Sequence, residues 1–257
     1  MKYQRQLEIL QYINEQKSVT IDNLLAKFDI SRATLNRDLL ELEKNNSIKK
    51  LHGGVMSNSE SLVSDFSIDQ KELLHREEKI KIAKHAVSLV HDNQTILLDT
   101  GSTIWYFATE LAKQTELKGV TVVTHDLKVA WTLCENPNIS LYVLGGTRQE
   151  DSYDLFDPYI FKILDSLNVD TYFMGVSAFD CERGLTHFLQ DDVFIKEAMM
   201  RNSKKIVLCT DSSKYGVVKR WKLCNLNDID TIITDDKLDN ESIEILKANS
   251  NELIIVK

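Results

Sequence analysis

Residues 99–102 read Asp-Thr-Gly-Ser, directly after the apolar run Ile96-Leu97-Leu98. An aspartic protease holds its catalytic carboxylate in such a turn, but that chemistry needs two carboxylates sharing a proton, and no second D-T-G or D-S-G follows. Nine glycines and two prolines in 257 residues are also few for an all-β chain, which turns about every 8–12 residues. The residues that follow suggest another chemistry. Ile104, Phe107, Ala108 and Leu111 repeat at helical spacing, so the glycine turn opens a helix, whose free N–H groups and positive dipole end favour a phosphate. Gly101 makes the turn, Ser102 and Thr103 add hydroxyl donors, and Asp99 can accept a sugar hydroxyl or fix the turn. A plain N-cap by Ser102 fits the same residues.

Three further polar turns follow apolar runs: Thr124-His125-Asp126, Gly145-Gly146-Thr147-Arg148, and Thr210 to Gly216 with Asp211 and Lys214. A single loop lysine such as Lys214 is most often merely solvated; the weight lies in the convergence of several such turns. The runs TILLD, VTVVT, ISLYVLGG, VDTYFMGV, KKIVLCT and DTIIT alternate with helical stretches, which indicates an α/β fold with a mostly parallel sheet. Ligands of such sheets bind beyond the carboxyl ends of the strands. Ahead of the first run, one long amphipathic helix is expected from Gln70 to about His91, with its apolar face in the core.

The first 56 residues differ in charge from the rest. They hold nine Lys and Arg against seven Asp and Glu, while the remainder holds 22 against 32, within a net charge of −8. The N-terminus is therefore the part suited to phosphates. Leu7, Ile9, Leu10 and Ile13 mark one helix, and Ile21, Leu24, Leu25 and Phe28 mark a second. Ser31 caps a third, whose Leu35, Leu39 and Leu42 form an inner stripe while Arg32, Ala33, Thr34, Asn36 and Arg37 lie opposite. This is the pattern of a helix-turn-helix with a recognition helix for the major groove, and Arg and Asn suit guanine and adenine edges. A three-helix bundle with a solvated polar face is the alternative. Residues 45–55, with Lys49, Lys50, His52 and Gly53, read as a basic β-wing that clamps phosphates.

The stretch SRATLNRDLLELEKNNSIKKLHGGV resembles the N-terminal signature of the DeoR family of bacterial sugar-metabolism repressors, through Ser31, Thr34, Arg37, Asp38, Leu39, His52, Gly53 and Gly54. Asn36 and Lys50 stand where that family usually has arginine, which leaves the preferred operator open. The strand-end turns also resemble the family's sensor domain, in the same order along the chain. The resemblance implies a winged helix-turn-helix domain (1–56), a linker (57–69) and an α/β sensor domain (70–257) with a fold like ribose-5-phosphate isomerase. It implies a phosphorylated sugar as effector, met by Asp99, Gly101, Ser102, Thr103, Thr124, Gly145, Gly146, Asp211 and Lys214. His125 stands where the family usually has Asn, and Asp192 where it often has Glu.

The expected function is a cytoplasmic, DNA-binding regulator: a repressor of a sugar-utilisation operon, released by a phosphorylated sugar and acting as a homo-oligomer. No catalytic residue, metal or cofactor is expected. The four cysteines lack metal-ligand spacing, there is no apolar signal segment, and no run reaches the roughly 18 apolar residues of a membrane span. The rival readings are a sugar-phosphate isomerase or hydrolase with Asp99, Asp192 or Asp211 as base, and an N-terminus used only for protein association.

Overall fold

The computed structural model describes residues 2–44, 47–57, 68–149 and 152–257. The chain forms two compact units, 1–74 and 75–257.

The first unit contains α1 (Lys2–Gln16), β1 (Ser18–Thr20), α2 (Ile21–Phe28), α3 (Arg32–Lys44), β2 (Ile48–Leu51), β3 (Gly54–Ser57) and α4 (Ile68–Leu73). Its core joins Ile9, Leu10 and Ile13 of α1 with Leu24 of α2, Leu35, Leu39 and Leu42 of α3, and Val55 of β3. Asp38, carried by the signature, turns inward. It is 1% exposed and accepts hydrogen bonds from Arg5 Nε at 2.7 Å and Gln6 Nε2 at 3.0 Å, tying α3 to α1. The strands form an antiparallel sheet in the order β1-β3-β2. Its hairpin explains the glycine pair. Gly53 turns at φ 82°, and a Cβ on Gly54 would stand 2.8 Å from the Val19 carbonyl oxygen of β1.

Most of the expected linker, residues 58–67, lies outside the described residues. The expected single helix from Gln70 to about His91 is not formed. It is divided into α4 and α5 (Arg76–Val87) at His75, whose φ of 52° is left-handed and cannot continue a helix. α5 ends before Val90 and His91. Leu74, ahead of the break, packs with the core of the first unit.

The second unit continues with β4 (Thr95–Leu98), α6 (Ser102–Leu111), β5 (Val120–Thr124), α7 (Leu127–Leu133), β6 (Ile139–Val143), β7 (Thr147–Arg148), β8 (Leu155–Phe156), α8 (Tyr159–Leu164), β9 (Val169–Met174), β10 (Ala178–Asp180) and β11 (Gly184–His187). There follow α9 (Gln190–Arg201), β12 (Ser203–Cys209), β13 (Trp221–Cys224), β14 (Thr231–Asp235), α10 (Asn240–Asn249) and β15 (Leu253–Val256). Seven strands form a parallel sheet in the order β15-β14-β12-β9-β4-β5-β6.

Both faces of the inner strands β4, β5, β9 and β14 are buried, whereas the edge strand β6 leaves Ser140, Tyr142 and Val143 exposed. Leu97 and Leu208 point into a core with α8, α9 and α10, whereas Ile96, Leu98, Val207 and Cys209 point into a second core with α5, α6 and α7. Alternate residues of a strand face opposite ways, so burial on both sides makes the runs continuously apolar. The chain winds outward from β4 to β6, then returns to β9 on the other side of β4. The order therefore reverses between β4 and β9, where doubly wound sheets bind their ligands. A smaller antiparallel sheet, β10-β11-β13, packs through Phe179, Leu185 and Leu223 into the first of these cores.

Candidate functional site

At the reversal point Asp99 leaves β4 fully buried. Its Oδ2 accepts the Gly175 N–H from the end of β9 at 2.8 Å and forms an ion pair with Lys196 Nζ of α9. Lys196 also donates to the Gly175 carbonyl oxygen at 3.2 Å. The carboxylate and ammonium thus bind two strand ends and a helix together. Around them, His125 Nδ1 and His187 Nε2 are buried without a hydrogen-bond partner, and the buried Tyr172 hydroxyl faces the Asp99 carboxylate. Such atoms are rare in native interiors and mark a place where a polar ligand can serve them.

The sheet continues this polar edge. Asp126 caps α7, accepting the N–H groups of Lys128 and Val129 at 2.7 and 2.9 Å, and Thr124 Oγ1 accepts the Asp126 N–H at 3.1 Å. Beyond β12, Asp211 caps a short turn of 3₁₀ helix that ends in Lys214. It accepts the Ser213 N–H at 3.2 Å and the Ser213 hydroxyl, while its Oδ2 is buried without a partner.

Protonation follows from burial and charge. Burial alone would raise Asp99, but the Lys196 charge, then His125, and the Lys196 hydrogen bond hold it below the ordinary carboxylate value. Burial likewise opposes ionisation of Asp211, yet Lys214, Lys79, His75 and the Ser213 hydrogen bond bring it below normal. Burial lowers His125 against the pull of Asp154 and Asp99. It pushes His187 down to about 3, with Lys196 adding to the shift. Burial, then the Asp99 charge, holds the Tyr172 hydroxyl well above its usual range. Asp126 and Asp192 are both raised to about 6, chiefly by burial. Near neutral pH the Asp99 carboxylate is therefore ionised against Lys196, while the His125 and His187 imidazoles are neutral and the Tyr172 phenol keeps its proton. A neutral imidazole has one donor and one acceptor; His187 Nδ1 already meets the Ser177 hydroxyl at 3.2 Å, which leaves its Nε2 and His125 Nδ1 to meet ligand hydroxyl groups.

The residues expected from the turns take different places. Asp99, Thr124, His125 and Asp211 are buried at strand ends, and Ser102, Thr103 and Lys214 are partly exposed beside them. Gly101, at φ 101°, is itself the N-cap of α6, so the alternative N-cap by Ser102 does not hold: Ser102 is the first helical residue, and no side chain caps the first turn. Gly145 has open space around its Cα; a Cβ on Gly146, at φ 139°, would meet the Phe156 backbone at 2.6 Å, which ties this glycine to packing. Lys196, Tyr172 and His187 were not among the expected site residues. The available signal was faint: Asp192, Lys196 and Met199 share a helix face by their spacing, and Lys196 alone puts a cation among apolar residues.

In the first unit, Ser31 Oγ accepts the Thr34 N–H at 3.2 Å and contacts the Thr34 hydroxyl at 2.8 Å, so both residues build the start of α3. Arg32, Ala33, Asn36 and Arg37 are exposed on one side. Arg32 pairs with Asp22 of α2 at 2.7 Å, both groups being well exposed; solvent screening makes such a pair weak and easily exchanged. On the wing Lys49, His52 and Gly53 are exposed, while Lys50 leans on Glu43 of α3 at 3.5 Å. Among the described residues no helix is long and apolar enough to cross a membrane, and no group of three His, Cys, Asp or Glu could hold a metal ion.

Family models match both units: a DeoR-like helix-turn-helix domain over residues 5–61, and a DeoR C terminal sensor domain over residues 74–236. The chain belongs to the DeoR family. It is thus a DNA-binding transcriptional regulator of the helix-turn-helix type. It is similar to the HTH-type transcriptional regulator GolR of Listeria innocua, with 34% identity over 92% of this chain and 91% of the other. It is also similar to the HTH-type transcriptional repressor GlcR of Bacillus subtilis, with 29% identity over 99% and 96% of the two chains. A putative aga operon transcriptional repressor of Escherichia coli O157:H7 shares 29% identity over 98% and 93%. Among solved structures, ribose 5-phosphate isomerase A from Methanocaldococcus jannaschii aligns over 55% of this DeoR-family chain and 54% of its own, at 24% identity and a TM-score of 0.41.

Two outcomes follow from the buried pair and its neighbours. Lys196→Met strands the Asp99 charge and should cost about 3–5 kcal/mol of stability, much of it recovered by adding Asp99→Asn. Denaturant unfolding of Lys196→Met, Asp99→Asn and the double variant measures this, and additive losses would contradict the pairing. A histidine with a lower pKa folded than unfolded contributes stability that is full above its unfolded value of 6.5 and is lost as pH falls toward its folded value of about 3. His187→Gln should therefore flatten the fall in thermal stability between those pH values. An unchanged slope would mean that His187 does not carry it.

Proposed function

We propose that this regulator represses a sugar-utilisation operon and leaves its operator when a phosphorylated sugar occupies the strand-end site. The observation that carries the reading is the cluster of buried polar groups, Asp99, His125, Tyr172 and His187, gathered around Lys196 at the reversal point of the sheet. The sugar hydroxyls would meet Asp99, His125, His187 and Tyr172. The phosphate would meet the first turn of α6, through Gly101, Ser102 and Thr103, together with Lys214. The relatives named as repressors support the sense of regulation.

On the DNA side, Arg37 and Asn36 would read base edges while Arg32, Lys49 and His52 bind phosphates. Because helix-turn-helix proteins read repeated half-sites as dimers, the working form would be a homo-oligomer in the cytoplasm. Effector and DNA must favour different states of the protein, and the coupling is reciprocal, so operator DNA would weaken effector binding by the same factor.

The reading includes no catalysis. Asp99 is held by Lys196 and Gly175 and kept acidic, which makes it a weak general base. Asp192, raised to about 6, is the carboxylate a sugar-phosphate isomerase would use instead; turnover of ribose 5-phosphate by the purified protein would favour that second reading.

Two variants test the division of labour. Arg37→Ala should lose operator affinity by about tenfold or more with fold and oligomeric state unchanged. Lys214→Ala should bind the operator normally and fail to release it with the effector. Normal DNA binding by the first, or normal induction of the second, would contradict the assigned roles.

A further inference from the structure

The small sheet carries a second concentration of charge. Leu185 of β11 faces the core, and His187 lies where the Lys196 and Asp99 charges act on it. Thr186 between them faces the other way, and its Oγ1 accepts the Lys219 N–H at 2.8 Å. On that side lies a cleft of about 420 Å3, lined by Arg183, Thr186, Val218, Lys219, Arg220 and Lys222. Four of the six residues are cations and none is acidic, although the chain after residue 56 has ten more acidic than basic residues.

Neutral partners position two of these cations without cancelling their charge. Lys219 Nζ lies 4.5 Å from the centre of the Phe188 ring, a cation–π contact, and Lys222 Nζ donates to Asn225 Oδ1 at 2.6 Å. Like charges gathered on one concave surface repel one another, and an anion relieves that repulsion. Arg183 reaches the cleft from the β10–β11 turn, Lys222 from the neighbouring β13, and Lys219 and Arg220 from the segment before β13.

We propose that this cleft is a binding site for a small molecule carrying two phosphate groups, on the opposite face of β11 from His187. Ligand pockets typically enclose about 300–1,000 Å3, and each phosphate monoester carries about −1.5 to −2 charges near neutral pH, so two such groups match four cations. A duplex backbone would call for cations spread along a strip; these four line one cleft. Burial, then the Lys214 charge, lowers the Lys219 ammonium pKa, so an anion here would favour the charged lysine. Nothing in the proposal depends on what the strand-end site binds.

The test is calorimetric titration of the full-length protein with pyrophosphate and, separately, inorganic phosphate. Three proteins are compared: the native chain, Arg183→Ala/Arg220→Ala, and Lys214→Ala. The native chain should bind one pyrophosphate about tenfold more tightly than phosphate. The double variant should lose about tenfold or more of that affinity, and Lys214→Ala should keep most of it. Arg183 and Arg220 are exposed, so the double variant should unfold at the native temperature. Absence of pyrophosphate binding by the native chain would overturn the proposal. So would loss in Lys214→Ala equal to or greater than that in the double variant, which would assign the anion to the strand ends. A double variant that keeps pyrophosphate but loses operator affinity would overturn it too, by assigning the patch to DNA.

Discussion

A carboxylate and an ammonium, both almost fully withdrawn from water, meet where the order of the parallel sheet reverses. Either charge alone in that position would be strongly destabilising, so each requires the other. Their pairing brings the end of β4, the end of β9 and the middle of α9 to one point. Gly175 follows from this closeness: a Cβ there would stand 3.0 Å from the Thr100 carbonyl oxygen. Because they are buried themselves, the neighbouring imidazoles stay neutral and the neighbouring phenol stays protonated. The polar atoms left over are fixed in place by a rigid sheet, which is how a site can recognise a hydroxylated ligand with little reorganisation.

The DNA-contacting unit rests on a different constraint. α3 must keep one side in the core and leave the other free, and its alternation of Leu35, Asp38, Leu39 and Leu42 against Ala33, Asn36 and Arg37 does so. Asp38 adds a polar lock to α1 through Arg5 and Gln6. The wing needs glycine twice for two reasons, a left-handed turn at 53 and the approach of β1 at 54. Where this chain differs from the usual family pattern, at Asn36 and Lys50, the two positions differ in freedom: Asn36 is exposed, whereas Lys50 is engaged with Glu43.

Much of this was legible in the sequence, and the failures have local causes. Six of the seven strands of the parallel sheet could be read from their apolar runs, and the DNA-facing helix because its two sides differ in polarity; the edge strand β15, only four residues long at Leu253–Val256, was missed. The Asp99 turn could be placed because a helical repeat follows it. The partner of Asp99 could not be, since Lys196 lies 97 residues away and looks like any lysine on an amphipathic helix. His187 was hidden in a four-residue strand of the small sheet, too short to show a period. The break at His75 has no proline or glycine to announce it; a left-handed histidine is set by tertiary packing, which local pattern does not record.

The central claim is that one site in the sensor unit controls binding of DNA by the other unit through a phosphorylated sugar. It is tested most directly by titrating the fluorescently labelled upstream DNA of its own gene with the purified protein at fixed salt, alone and with a panel of sugar phosphates and their parent sugars. The account predicts tight binding that one phosphorylated sugar weakens by at least about tenfold, with no effect of the corresponding free sugar. Specific binding that no phosphorylated sugar alters, or release by the free sugar as well, would contradict it.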